Sequence, residues 1–168
     1  MILLPYDGKR PRLGERVFVA GNAAIIGDVE LGNDCSVWFG TTIRGDVNFI
    51  RIGSRTNIQD NCTIHVAHET HATVIAEEVT IGHGAIVHGC TVHRGALIGM
   101  GSRVLDGAVV GESALVGAGA LVAEGMKIPP RKLALGVPAR VVRDLSDNEL
   151  ARLDQSWRNY VSYKEKYL

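Results

Sequence analysis

The sequence has no surplus of charge: 18 Lys and Arg offset 18 Asp and Glu, for a formal net charge of zero. That balance leaves no basic footprint for nucleic acid and no polybasic face for an anionic membrane. Aromatics are scarce, at 5% of 168 residues, yet glycine occurs 20 times, an unusual composition for an ordinary mixed core. The opening Met1-Ile2-Leu3-Leu4 runs at once into Pro5 and Asp7. Four apolar residues are too few for a signal-peptide core or a membrane span. A soluble, cytoplasmic protein of one domain, 1–168, is expected.

What the sequence does hold is a period of six. Aliphatic residues recur at Leu13, Val19, Ile25, Leu31, Val37 and Ile43, then at Ile52, Ile58 and Ile64, then at Ile75, Ile81 and Val87. The series continues through Val92, Ile98, Val104, Val110, Val116 and Val122 to Ile128. Two residues before most of them stands a small or β-branched residue, such as Ala23, Thr41, Ala85 or Ser102, and glycine often follows, as at Gly53 and Gly82. A strict period of six is neither helical nor simple alternation, and it indicates a solenoid. The pattern resembles the left-handed parallel β-helix, an all-β solenoid, here over 13–130. In that fold three hexapeptides, about 18 residues, make one triangular coil. The aliphatics point into the prism, small residues fill the tight inner positions, and glycines ease the corners. Cys35, Cys62 and Cys90 all fall on the small inner position. They read as core filling, with no disulfide or thiolate site implied.

After Ile128 the period ends at Pro129-Pro130, and Gly136 to Val142 reads as an extended segment. Ser146 with Glu149 makes a capping box, and Leu150, Leu153, Trp157, Tyr160 and Val161 form one apolar stripe at helical spacing. A C-terminal helix over 146–167, packed back on the prism with Trp157 as anchor, is expected.

The period slips three times. Three extra residues lie between Ile43 and Ile52 and five between Ile64 and Ile75, and one is missing between Val87 and Val92. All three slips surround the histidines. Repeats are interrupted where function needs a loop. Counting three hexapeptides either way from Ile64 reaches Ile43 and Val87, so Arg44, His65 and His88 stack on one edge in successive coils. His65 and His88 are therefore about one strand spacing apart. His83 belongs to another column, with Phe39, Asp60 and Met100, on a different edge. Five extended residues, on the order of 16 Å, separate His83 from His88. One chain does not easily bring the three together, whereas a three-fold trimer sets one edge against another. Three imidazoles with an open fourth position are the ligand set of a catalytic zinc site.

Four segments, Ile43-Arg44-Gly45-Asp46, Asn57-Ile58-Gln59-Asp60, Ile64-His65 and Ile81 to Cys90 (IGHGAIVHGC), carry a closer likeness. With them the sequence resembles the γ-class carbonic anhydrases over nearly the whole chain. The resemblance implies reversible hydration of CO2 to bicarbonate by a metal-bound hydroxide at the subunit boundaries of a homotrimer. The metal is zinc, or iron or cobalt, held by His65, His83 and His88. Gln59 would orient the metal-bound water, and Arg44, Asp46 and Asp60 would form a charged network across the interface. Asn57 and Tyr160 match family positions beside the site. Two departures stand out: Val47 replaces a glutamate, and the loop after His65 is short, with His68, Glu69 and His71 in place of an acidic proton-shuttling loop. His68 could shuttle protons instead, since an imidazole titrates in the right range. His93 reads as structural or surface. The Arg44-Gly45-Asp46 triplet is not read as an adhesion motif, and Gly99-Met100-Gly101 and Gly117-Ala118-Gly119 are corner glycines, not phosphate loops. Two other classes stay open: a trimeric scaffold or binding protein with weak or no catalysis, and a hexapeptide-repeat acyltransferase or thioesterase using one histidine base.

Overall fold

A computed structural model describes residues 1–168. Its short parallel strands stack into a left-handed β-solenoid of about seven turns followed by one helix. Each strand pairs with the one a coil earlier, so three columns of inner residues run the length of the prism. One column reads Ile25, Ile43, Ile64, Val87, Val104, Val122. The second passes through Leu31, Ile52, Ile75, Val92, Val110 and Ile128. The third runs Val19, Val37, Ile58, Ile81, Ile98, Val116, Ala134.

Every aliphatic of the period from Ile25 to Ile128 is at most 4% exposed. They merge with the small inner residues into one core cluster of 35 buried residues. The three cysteines are free and buried within it. Burial pushes the Cys35 and Cys62 thiols up to about 11 and the Cys90 thiol up to about 12, which makes them poor nucleophiles.

The prism reaches further than 13–130 at both ends. The strand Ile2–Leu4 pairs with Ala24–Ile26. The period hides it because a turn closed by Tyr6 and Lys9 intervenes before Leu13. At the other end Lys132–Gly136 joins the third column with Ala134 in place of an aliphatic, and pairs antiparallel with Ala139–Asp144. The helix is Asp147–Lys164, shorter than 146–167: Ser146 is the N-cap of the expected capping box, and residues 165–167 turn away. Leu153 packs with Leu133 and Leu145, and the buried Trp157 ring lies under the Arg158 guanidinium. Lys164 is completely buried, with its ammonium on Asp34 at 3.1 Å and Glu165 at 2.8 Å. No helix is long and apolar enough to cross a membrane.

Each slip of the period is a distinct corner. The first is absorbed inside one eleven-residue strand, Thr42–Ile52, which bends past the corner of its neighbour. The second is a tight hairpin closed by Ala67 and His71. The third is a shortened corner at Gly89 and Cys90 between the strands Ile86–His88 and Thr91–Val92.

Truncating a fully buried inner residue leaves a cavity that a regular solenoid cannot collapse around. Ile98→Ala should cost about 2–5 kcal/mol in denaturant unfolding, while Lys127→Ala, on the outer face, should stay within about 0.5 kcal/mol. The buried Glu78 gives a pH signature. Burial opposes its ionisation, but Arg94 at 2.7 Å and Arg55 at 2.8 Å together hold its carboxyl below the ordinary range. A depressed folded pKa adds stability above the unfolded value of about 4.3 and loses it as pH falls through the folded value. Thermal scans should therefore show wild type ahead of Glu78→Gln at neutral pH, with the gap closing on acidification below about pH 4.

Candidate metal centre

His65 ends the strand Thr63–His65 and His88 ends Ile86–His88, and the two are direct register partners. Their inner neighbours Ile64 and Val87 are fully buried, so the rings point out of the prism at one edge. His65 Nδ1 lies 3.1 Å from His88 Nε2. The far nitrogens are occupied. His65 Nε2 meets Asp46 Oδ1 at 3.0 Å, and His88 Nδ1 meets Asp106 Oδ1 at 2.5 Å. A carboxylate only accepts, so the protons sit on those far nitrogens. The two near nitrogens then face each other across 3.1 Å, where their lone pairs can share one cation. Two nitrogen ligands of a tetrahedral ion are about 3.3 Å apart, so the spacing suits a shared divalent metal.

Asp46 is itself held in place. Burial opposes its ionisation, while hydrogen bonds from His65, Arg44 and the Val47 amide lower its pKa below the ordinary carboxylate range. Arg44 thus pairs with Asp46 inside the chain, and it does not meet Asp60 there. Asp60 sits on the other edge, where its Oδ2 accepts from His83 Nδ1 at 2.8 Å and its Oδ1 from the Phe39 amide at 3.1 Å. His83 is the most open of the three imidazoles, at 46% against 18% for His65 and 31% for His88. Its Nε2 remains free to bind a ligand. No three ligating side chains converge within one chain.

Gln59 is buried beside His83. Its Oε1 accepts from the His83 backbone amide at 3.1 Å, and its Nε2 donates to Asn57 Oδ1 at 3.2 Å. Asn57 in turn donates to Thr80 Oγ1 at 2.9 Å, which lies 3.2 Å from Ser156 on the C-terminal helix. Tyr160, on the same helix, stands edge-on to Trp38 at 5.4 Å; burial raises its hydroxyl pKa, and the nearby Asp60 charge adds to this. An open groove of about 420 Å³ runs from Gln59 and His83 between Leu97, Met100, Leu115 and Leu135. His68 is exposed on its hairpin and lines a second groove with Asp46 and Glu69. His71 is exposed on the same hairpin, and His93 is exposed on the outer surface.

Residues 10–45 match the bacterial transferase hexapeptide (six repeats) family. A carbonic anhydrase of Geobacillus kaustophilus is 45% identical over 99% of this chain and 91% of its own. The chain belongs to the γ-class carbonic anhydrase family. The mitochondrial gamma carbonic anhydrase 1 of Arabidopsis thaliana is 47% identical over 90% of this chain, which spans 57% of that protein's length. The crystal structure of a hexapeptide transferase family protein from Anaplasma phagocytophilum superposes with a TM-score of 0.96, at 42% identity over 99% of this chain and 98% of that one. One fold thus carries both carbonic anhydrase and transferase names.

The sequence reading missed Asp106 as a partner of His88. The signal was its place 18 residues later, one coil further on beside the same corner.

In this carbonic anhydrase relative, the chain Gln59–Asn57–Thr80 is almost wholly enclosed. Asn57→Ala removes the acceptor of a buried amide and the donor to Thr80, and leaves those groups without partners. It should lower unfolding free energy by about 1–3 kcal/mol. Chemical denaturation of the purified protein measures it.

Proposed function

We propose that this protein is a metal-dependent carbonic anhydrase that works as a homotrimer. In this reading His65 and His88 of one subunit and His83 of the next hold one ion of zinc, iron or cobalt. The observation that carries it is the pair of lone pairs facing across 3.1 Å on one edge, with a third carboxylate-tied imidazole on another. When bound, the ion supplies a Lewis acid that makes water a nucleophile near neutral pH, the chemistry that CO2 hydration needs.

The chain's own residues do the rest. Gln59 keeps one Nε2 hydrogen and one Oε1 lone pair beyond its two fixed bonds, enough to orient a nucleophile beside His83. Asp60 fixes the His83 ring. The apolar groove beyond Met100 suits a small, uncharged substrate such as CO2. His68 and Asp46 share a groove open to solvent, which gives His68 the place to pass a proton outward. An acyltransferase needs one histidine base and leaves the other two carboxylate–imidazole pairs without a task.

Three measurements test the reading together: metal content after purification without oxygen, light scattering, and stopped-flow CO2 hydration. A trimer with metal and activity supports it, and His68→Ala should slow turnover only when buffer is scarce. No hydration with zinc, iron or cobalt loaded would favour the scaffold. Sharing of the site is tested by mixing two inactive variants, His83→Ala and His65→Ala. The first still offers His65 and His88, and the second still offers His83. Random reassembly at equal ratio restores about a quarter of the interfaces. Verified mixed trimers that recover no metal would sink the shared site.

A further inference from the structure

The geometry points to Asp106 as the positioning residue of His88, holding the ring in the tautomer that frees Nε2 toward His65; this rests on the metal-centre reading above. His88 Nδ1 and Asp106 Oδ1 are 2.5 Å apart, the shortest of the three carboxylate–imidazole contacts at the site. Asp106 lies one coil beyond His88, at the corner stacked on Gly89. That corner is built to let the carboxylate across. Gly89 has φ +54°, and a Cβ placed on it would lie 2.4 Å from Asp106 Oδ1. The same corner is the one shortened by a residue between Val87 and Val92. The missing residue and the missing side chain clear one path, and the Asp106 carboxylate fills it.

The two stacked imidazoles are thereby set in opposite senses. Asp46 takes the Nε2 proton of His65 and leaves Nδ1; Asp106 takes the Nδ1 proton of His88 and leaves Nε2. If His88 carried its proton on Nε2, that hydrogen would point at His65 Nδ1. The pair would then satisfy itself with an internal hydrogen bond, and no ligand atom would remain on His88 for the site. Carboxylates that fix a ligating histidine this way typically change metal affinity about 10–100-fold when removed.

The test uses the assembled protein and two variants, Asp106→Ala and the near-isosteric Asp106→Asn. Histidine-selective nitrogen-15 correlation spectra of metal-free samples read the tautomer of each ring. Competition with a chromophoric chelator reads the Zn2+ affinity, and Co2+ absorption reads the ligand field. In wild type, His88 should carry its proton on Nδ1 and His65 on Nε2. Asp106→Ala should lose the His88 signature and bind Zn2+ about 10–100-fold more weakly. Asp106→Asn, whose amide oxygen still accepts from Nδ1, should keep the tautomer and fall between the two. Unchanged affinity in Asp106→Ala, or an unchanged His88 tautomer, overturns the assignment. A wild type that binds no Zn2+ or Co2+ would instead overturn the metal-centre reading itself, so the two failures are distinguishable.

Discussion

Successive coils of the prism lie one strand spacing apart, about 4.8 Å, and the proposed metal centre depends on that repeat. It places His88 directly on His65 without any loop having to be held in position. The register is in turn enforced by burial. Slipping one strand by a residue would turn Ile64 or Val87 outward and bring a polar neighbour into the core. Both side chains are fully buried, and fully burying an aliphatic side chain contributes about 1.5–3 kcal/mol. Packing therefore sets the spacing of the two imidazoles, and their electrostatics must be solved at that fixed distance.

The solution is a set of carboxylates, one for each ring. Asp46, Asp60 and Asp106 each accept from one imidazole nitrogen, and two of the three reach their histidines through departures from the ideal repeat. Asp46 comes from the widened corner within Thr42–Ile52. Asp106 crosses the corner that Gly89 leaves open. Asp60 stands one coil before His83 in the same column and needs no irregularity. The slips in the period thus do two kinds of work: they release side chains from the stacking rule, and they clear space for others. A perfect hexapeptide prism would stack the histidines but could not turn their rings.

Much of this was legible in the residues. The inner positions, the column pairing of His65 with His88 and the separate column of Asp60 and His83 follow from counting in sixes, because burial enforces the count. What counting does not reveal is side-chain direction. Within one chain Arg44 turns to Asp46 and Asp60 to His83, pairings that the count of six does not contain. Asp106 escaped notice because it occupies a corner, where the period carries no apolar signal. The strand Ile2–Leu4 was missed because the turn at Tyr6 and Lys9 breaks the phase before the first counted aliphatic. The buried Lys164 was missed for another reason: a lysine near a helix end reads as solvated until tertiary contacts with Asp34 are known.

The C-terminal helix connects these two levels. It lies along the edge that carries His83, and it touches the site through Ser156 and Tyr160. Its last turn is pinned by Lys164 to Asp34, and Tyr167 stacks on Phe18 at 5.0 Å. Most of the few aromatics of the chain gather here, between helix and first coils, where flat rings fill a gap that the hexapeptide prism leaves. The helix therefore acts as a brace for His83, the one imidazole of the proposed site without a second imidazole stacked on it. His65 and His88 support each other through register, whereas His83 has only Asp60, Gln59 and the helix behind it. In the proposed shared site, such an imidazole must keep its geometry without help from a neighbouring subunit until assembly. The relay from Ser156 through Thr80, Asn57 and Gln59 to the His83 backbone supplies that rigidity from within the chain.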